Sequence, residues 1–223
     1  MTRIISTYGQ LLAAAMGQTL LLALYGLFFA CIIGMIVGIM SVLKSRVCRT
    51  IAAVFVNLIR GVPMIVLAYI IYFGVPYLWN TILNIGGCTL TALQAGTICL
   101  AMNCGAYMAE IIRAGIESVD VGQMEAARSL GLPYWRSMQR VVLPQAIRTM
   151  IPSIINQFII TLKDTSILSV IGFPELVNTA KNVVAATFMS FQTWAIVGAM
   201  YLVVILLLQQ AAKALERRLK YGA

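Results

Sequence analysis

Residues 125–144 read EAARSLGLPYWRSMQRVVLP, the one charge-rich internal stretch of an otherwise strongly apolar chain. The stretch is too polar to cross a bilayer, because a spanning helix needs about 20 predominantly apolar residues. Gly131 falls where a helix C-terminus needs a left-handed residue, and Pro133 falls where a second helix begins. The stretch therefore predicts a helix-turn-helix outside the membrane. It is either a docking surface for a soluble partner or an amphipathic hairpin lying on lipid headgroups.

The apolar residues of this hairpin recur at helical spacing. Val121, Met124, Ala127 and Leu130 recur every three residues, which predicts that they lie close to one face of the first helix. Trp135, Met138 and Val141-Val142 give the second helix its apolar face, and Leu143-Pro144 is expected to end it. The small side chains of Ala126 and Ala127 would let the backbone of a partner approach closely.

The composition places the chain in a membrane. Of 223 residues 61% are hydrophobic and 10% are charged, whereas soluble domains carry about 25% charged residues. The +9 net charge does not indicate nucleic-acid binding, because the bases cluster at the ends of apolar runs. With no His, and with five Cys that form no Cys-x-x-Cys pair, the chain offers neither a metal-ligand spacing nor the constellation of a membrane-embedded enzyme.

Three long uncharged runs lie at 4–43, 61–109 and 182–212. They hold at least one, two and one spans, respectively. Together with the largely apolar stretch 146–172, they predict an all-α membrane protein with five transmembrane helices, at 18–43, 50–74, 90–113, 146–172 and 190–212. We expect an extracytoplasmic N-terminal segment at 1–17, an outer turn region at 75–89, and one transmembrane domain at 18–220. The cytoplasmic loop of that domain lies at about 117–144.

The distribution of basic residues predicts the orientation. Twelve bases follow spans one, three and five: Lys44, Arg46, Arg49, Arg113, Arg128, Arg136, Arg140, Arg148, Lys213, Arg217, Arg218 and Lys220. The opposite side carries only Arg3 and Lys181. Because cytoplasmic loops carry the excess of Lys and Arg, the N-terminus is expected outside and the C-terminus in the cytoplasm.

Five sequence motifs carry a resemblance to a known family. Glu125-Ala126-Ala127, Gly131 and Leu143-Pro144 stand at the spacing of the Glu-Ala-Ala loop of permease subunits of ATP-binding cassette (ABC) importers, with Val141 where that pattern has Ile. The surrounding sequence resembles the polar amino-acid branch, of glutamine, histidine, arginine or cystine type. The further motifs are 60–63 (RGVP), 103–110 (NCGAYMAE), 111–116 (IIRAGI) and 163–166 (KDTS). The similarity covers roughly residues 18–220.

The resemblance implies a type I ABC importer permease in the bacterial inner membrane. Such a subunit pairs with a second permease, identical or homologous, and receives a polar amino acid from an extracytoplasmic binding protein. Two cytoplasmic ABC ATPase subunits grip the coupling loops, here through Glu125, Ala126, Ala127, Gly131, Leu132 and Pro133. The permease binds no cofactor, since ATP and Mg are used by the partner ATPase. The chain itself has no Gly-Lys dipeptide and hence no Walker-type phosphate loop.

Ionisable residues inside a span are costly and therefore indicate function. Glu110 and Asn103 are seven residues apart on span three, so both face the same way and are candidates for contact with the substrate. The alternative is that Glu110 is a helix-end acid paired with Arg113. Asp164, Ser166 and Gln157 are the candidates on span four, with pairing of Lys163 and Asp164 as the alternative.

Span four is expected to be discontinuous. Pro144 and Pro152 weaken its beginning, and Asp164-Thr165-Ser166 are residue types that cap helix N-termini. A new half-helix over 166–171 would direct free N–H groups at a substrate carboxylate. Arg60 and Pro63 on span two are expected to have a structural or gating role, as is Pro152.

These features predict ATP-driven import of a polar amino acid by alternating access. An ion-gradient-driven secondary transporter or channel would explain Glu110 and Asp164 as ion sites, but it would not explain the loop. Export is disfavoured because the Glu-Ala-Ala pattern belongs to importers.

Overall fold

A computed structural model describes residues 2–221, with side chains described for residues 2–214. The predicted basic end at Arg217, Arg218 and Lys220 lies outside the described side chains. The described chain is helical, and five of its helices are long and apolar enough to cross a membrane. The helices are α1 (Thr2–Val42), α2 (Arg46–Gly61), α3 (Met64–Ile82), α4 (Ala92–Glu117), α5 (Val121–Ser129), α6 (Tyr134–Ile171), α7 (Leu176–Thr187) and α8 (Ser190–Tyr221).

Helix α1 begins well before the predicted start of span one. Ile4, Leu12 and Met16 are buried in one apolar cluster with α7 and α8 residues such as Leu176 and Val197. Burial of these side chains gives the first turns of α1 the packing that stabilises a helix. The segment 1–17, expected as a separate extracytoplasmic piece, is thus helical from Thr2 onward and continuous with the span.

Span two, predicted at 50–74, is two helices. Pro63 excludes the preceding residue from the helical region, and Val62 accordingly has φ −100° and ψ 130° between α2 and α3. Helix α3 then runs to Ile82, so the predicted turn region at 75–89 was wrong over its first half. A π-helical turn at Ile70–Gly74 precedes Pro76 and lets the helix continue through it.

The chain between α3 and α4 turns at three residues with positive φ, Asn84, Gly86 and Gly87. The Asn80 side chain closes this turn with two hydrogen bonds to Cys88. Its Nδ2 donates to the Cys88 carbonyl at 2.7 Å, and its Oδ1 accepts from the Cys88 N–H at 2.9 Å.

Helices α1 and α4 approach closely along a line of small residues. A Cβ added to Gly26 would stand 2.6 Å from the Leu100 Cβ, one added to Gly34 would stand 2.6 Å from the Met108 Cβ, and Ala30 between them is fully buried. Gly38 continues the four-residue spacing against Ile112. Small residues at this spacing allow two membrane helices to pack backbone against backbone.

Helix α6 is continuous where two interruptions were predicted. A π-helical turn at Met138–Val142 precedes Pro144, so the missing N–H of this proline does not end the helix, contrary to the prediction for Leu143-Pro144. Pro152 also lies inside the helix. After Asp164 the helix tightens to a 3₁₀ segment, Thr165–Ile171, and ends at Gly172 with φ 77°.

The predicted half-helix over 166–171 was therefore wrong. The Thr165 N–H is bonded to the carbonyls of Lys163 and Thr161. The hydroxyls of Thr165 and Ser166 donate back to the carbonyls of Leu162 and Lys163, both at 2.7 Å. These side chains extend the preceding helix instead of capping a new one.

Candidate functional site

A cavity of about 520 Å³ lies where the junction of α2 and α3 faces α4 and α6. Its volume is in the usual range for small-molecule sites, about 300–1,000 Å³. The helices bring predicted residues from three separate segments to its wall. The lining residues are Arg60, Gly61, Val62, Pro63, Met64, Asn103, Tyr107, Gln157, Ile160, Asp164 and Ile167.

Three of the five predicted substrate residues line this cavity: Asn103, Gln157 and Asp164. Asn103 and Gln157 are buried, at 9% and 6% exposure. Asp164 is half-buried, and among the described side chains no ion pair or hydrogen bond reaches its carboxylate. The pairing with Lys163, which was the alternative for Asp164, is therefore not formed, and the Asp164 carboxylate is available to a ligand.

Glu110 lies at a second cavity, of about 560 Å³, on the side of α5. Its Oε2 is 3.1 Å from Nη2 of Arg113 and 3.3 Å from Nη1 of Arg60, and Arg113 in turn pairs with Glu117 at 2.7 Å. The structure thus forms the Arg113 pair that was the alternative for Glu110, and adds Arg60 from another helix. Glu110 and Asn103 share a helix face but line different cavities.

Ser166 lines neither of these two cavities. Pro63 lines the first cavity at the helix break, whereas Pro152 is exposed on α6 and lines neither. Arg60 lines both cavities, and its guanidinium carbon stands 4.9 Å from the centre of the Tyr107 ring. This position is compatible with the structural or gating role expected for Arg60.

The helix-turn-helix has the bend that Gly131 predicts. Gly131 has φ 84°, its N–H donates to the Arg128 carbonyl at 3.0 Å, and the Leu132 N–H donates to the Ala127 carbonyl at 3.2 Å. This pair of bonds is a Schellman motif, which satisfies the last carbonyls of α5. The buried Ser137 hydroxyl lies 3.3 Å from the Pro133 carbonyl and fixes the start of α6 against the turn.

The apolar residues of the hairpin are divided between its interior and its surface. Ala127 is buried, whereas Val121 is 71%, Leu130 is 84% and Trp135 is 62% exposed. The expected common face of Val121, Met124, Ala127 and Leu130 therefore does not pack as one surface. Exposed apolar side chains beside the exposed Glu125 and Ala126 form a surface that a protein partner would cover.

Glu175 is a buried acid that sequence reasoning missed. It is 0% exposed and caps α7, accepting from the N–H groups of Val177 at 2.8 Å and Asn178 at 2.5 Å. Burial raises the pKa of its carboxyl, and these backbone bonds, the Tyr201 hydroxyl and the Lys181 charge act in the opposite direction. The only sequence signal was an acid directly before an apolar helical stretch, a common N-cap position.

Comparison with known proteins places this architecture in a family. Residues 30–221 match the model of the binding-protein-dependent transport system inner membrane component. The glutamine transport system permease protein GlnP of Escherichia coli K12 is 34% identical over 203 residues, which cover 91% of this chain and 90% of that protein. The putative glutamine permease of Rickettsia prowazekii is 35% identical over 201 residues, covering 90% and 89%.

Two solved structures of ABC transporters are also similar to this chain. An amino acid ABC transporter crystallised with histidines has a TM-score of 0.87 at 35% identity and covers 96% of both chains. The MetNI methionine ABC transporter, in an inward-facing form, has a TM-score of 0.77 at 20% identity and supports the fold alone.

Of the two predicted transport classes, these relationships confirm the ABC permease and exclude the ion-gradient-driven carrier. They also confirm that the chain is a transport subunit and not an enzyme, and that it lies in the inner membrane. A permease of this kind works with a binding protein and ATP-hydrolysing subunits. The chain belongs to the binding-protein-dependent transport system inner membrane components, as a permease subunit of an ABC importer.

Proposed function

We propose that this permease imports a polar amino acid and holds it in the cavity lined by Asn103, Gln157 and Asp164. The observation that carries this proposal is the Asp164 carboxylate, half-buried in a cavity and without a bonded partner among the described side chains. A carboxylate in that position suits the α-ammonium group of an amino acid. Arg60 at the same wall offers a cation to the α-carboxylate.

The cavity chemistry favours a zwitterion with a polar, uncharged side chain. Asn103 and Gln157 supply two amides, each able to donate and to accept a hydrogen bond. Because Glu110 is engaged by Arg60 and Arg113, it adds no free negative charge for a basic side chain. The relatives named as glutamine permeases make glutamine the first amino acid to test.

The assembly we propose has two permeases, identical or homologous, two cytoplasmic ATPase subunits and an extracytoplasmic amino-acid-binding protein. The N-terminus lies outside, and α5 faces the cytoplasm as the coupling helix. ATP and Mg are bound by the ATPase subunits and not by this chain. The loop follows α4 and precedes α6, and both helices line the cavity, so a shift of the loop is transmitted to the cavity wall during alternating access.

The test is amino-acid-stimulated ATP hydrolysis and uptake by the reconstituted complex with its binding protein. Asp164→Asn should weaken uptake about tenfold to a hundredfold, since a hydrogen bond to a charged group is worth about 1.5–3 kcal/mol. Lys163→Gln is the matched control, because this exposed neighbour lines neither cavity. Normal uptake by the Asp164→Asn complex would contradict the proposal.

A further inference from the structure

Three residues are shared by the walls of the two cavities: Arg60, Tyr107 and Gln157. On the side towards α5, the α4 residues that line the second cavity lie between Glu110 and Ser118, and the α6 residues that line it lie between Thr149 and Asn156. On the opposite side, the first cavity is lined by Asn103 on α4 and by Ile160, Asp164 and Ile167 on α6. The two cavities therefore adjoin along α4 and α6, and the shared residues lie at their boundary.

An interaction between two helices lies at this boundary. Arg60 extends from the end of α2, and its Nη1 lies 3.3 Å from Oε2 of Glu110 on α4. The guanidinium also stands over the Tyr107 ring, one turn earlier on α4, with 4.9 Å between the guanidinium carbon and the ring centre. A cation anchored at both points bridges α2 and α4 between the two cavities.

We propose that Arg60, Tyr107 and Glu110 form an inner gate between the first cavity and the second. The direction of passage, from the first cavity to the second and on to the cytoplasm, rests on the proposed function. The position of Arg60 and Tyr107 at the boundary of the two cavities does not, because it follows from the lining residues and the Arg60 contacts alone.

The contacts suit a gate that opens repeatedly. The Arg60 and Glu110 side chains are 39% and 33% exposed, and ion pairs with this access to water favour the closed arrangement only by about fivefold or less. Arg60 precedes Gly61, the last residue of α2, and the chain leaves the helical conformation at Val62. The backbone that carries the guanidinium is thus at a helix end, where a small change in backbone angles can move it.

The position of Glu110 connects the gate to the loop. Glu110 pairs with Arg113, and Arg113 pairs with Glu117 at the end of α4, three residues before the Asp120 side chain that caps α5. Displacement of α5 would therefore pull on the same ion-pair chain that holds Arg60. An amino-acid carboxylate entering the first cavity would also compete with Glu110 for the guanidinium.

The experiment measures access to the first cavity from the loop side. Ile160→Cys provides a reporter that lines only the first cavity, in a complex whose five native cysteines are replaced by Ser. The complete complex in inside-out vesicles is treated with a membrane-impermeant methanethiosulfonate, and the labelling rate is measured without ATP. We expect Arg60→Gln and Glu110→Gln each to raise that rate roughly fivefold.

Two further variants sharpen the result. Arg60→Lys keeps the cation that can pair with Glu110 but loses the planar guanidinium over Tyr107, so its labelling rate should lie between that of the parent and that of Arg60→Gln. Arg49→Gln removes a cation from the same helix at an exposed position that lines neither cavity, and it should leave the rate unchanged.

An unchanged labelling rate in the Glu110→Gln complex would overturn the gate proposal. This variant decides the question by itself if the Arg60→Gln complex fails to assemble. Faster labelling in a complex whose ATPase no amino acid stimulates would support the gate and contradict the proposed substrate. The failure of one proposal is therefore distinguishable from the failure of the other.

Discussion

The Tyr201 hydroxyl donates to Oε2 of Glu175 at 3.4 Å, and no part of Glu175 is exposed to solvent. The next residue is held as well, because the Leu176 N–H donates to Oγ1 of the buried Thr19 at 3.0 Å. Helices α1, α7 and α8 thus meet at one buried polar cluster. The Glu175 carboxylate accepts hydrogen bonds from the Val177 N–H, the Asn178 N–H and the Tyr201 hydroxyl. Removing this acceptor would leave buried donors without a partner, which is costly.

Glu175→Ala should therefore lower the free energy of unfolding by about 2–4 kcal/mol, from the lost helix cap and the donors left without an acceptor. Tyr201→Phe removes one of the three donors and should cost only about 0.5–1.5 kcal/mol. Denaturant unfolding of the purified permease, followed through its helical signal, measures both. Equal losses in the two variants would show that the carboxylate does not organise the cluster.

The same residue predicts a pH dependence of stability. Burial raises the pKa of the Glu175 carboxyl above its ordinary value of 4.5. The folded protein then binds more protons than the unfolded chain just above that pH, so the free energy of unfolding falls as the pH rises through that window. We expect Glu175→Gln to flatten this dependence, measured as unfolding midpoints over a pH series. A slope that persists unchanged in the variant would assign the proton to another group.

The glycines of α1 provide a matched pair of substitutions. A Cβ at Gly34 would meet the Met108 Cβ at 2.6 Å, so Gly34→Ala should force α1 and α4 apart and cost about 1–3 kcal/mol. A Cβ at Gly17 would meet nothing within 4 Å, so Gly17→Ala should be neutral or stabilising by up to about 1 kcal/mol. Thermal unfolding in detergent compares them. Indistinguishable midpoints would mean that the helices do not pack as described.

Substitution of Gly131 should impair the coupling of ATP hydrolysis to uptake and leave membrane insertion intact. At φ 84° a β-branched residue is strained by about 1–2 kcal/mol, although a Cβ there has open space. Gly131→Val should therefore distort the turn, leave membrane insertion intact and abolish uptake, whereas Gly131→Asn should retain most uptake because Asn tolerates this conformation. Uptake and co-purification of the ATPase are measured together. Normal uptake by the valine variant would remove the loop from the coupling mechanism.

Features that depend on local rules were predictable from the sequence. Apolar length predicted the five spanning helices, four of them in uncharged runs, and the position of Gly131 predicted the C-terminal turn of α5. The spacing of Gln157 and Asp164 identified two side chains that share one cavity, whereas the equal spacing of Asn103 and Glu110 did not. These inferences use residues within about two helical turns of one another.

Features that depend on distant packing were not predictable. Glu175 and Thr19 are far apart in sequence, and only the meeting of α7 with α1 shows that the acid is buried. Pro76 and Pro144 suggested helix ends, but π-helical turns before them absorb the missing N–H. Thr165 and Ser166 suggested a helix start, yet their hydroxyls had carbonyls of the preceding turn within reach.

The line of small residues between α1 and α4 has a mechanical consequence. Backbones packed this closely resist sliding past each other, so we expect the two helices to tilt as one body. Helix α4 has 26 residues and is about 39 Å long, and a rotation of about 10° about its Glu117 end would displace its Ala92 end by about 7 Å. A small change in the angle of the α1–α4 pair at its Glu117 end would thus produce a large displacement of its Ala92 end, on the other side of the bilayer.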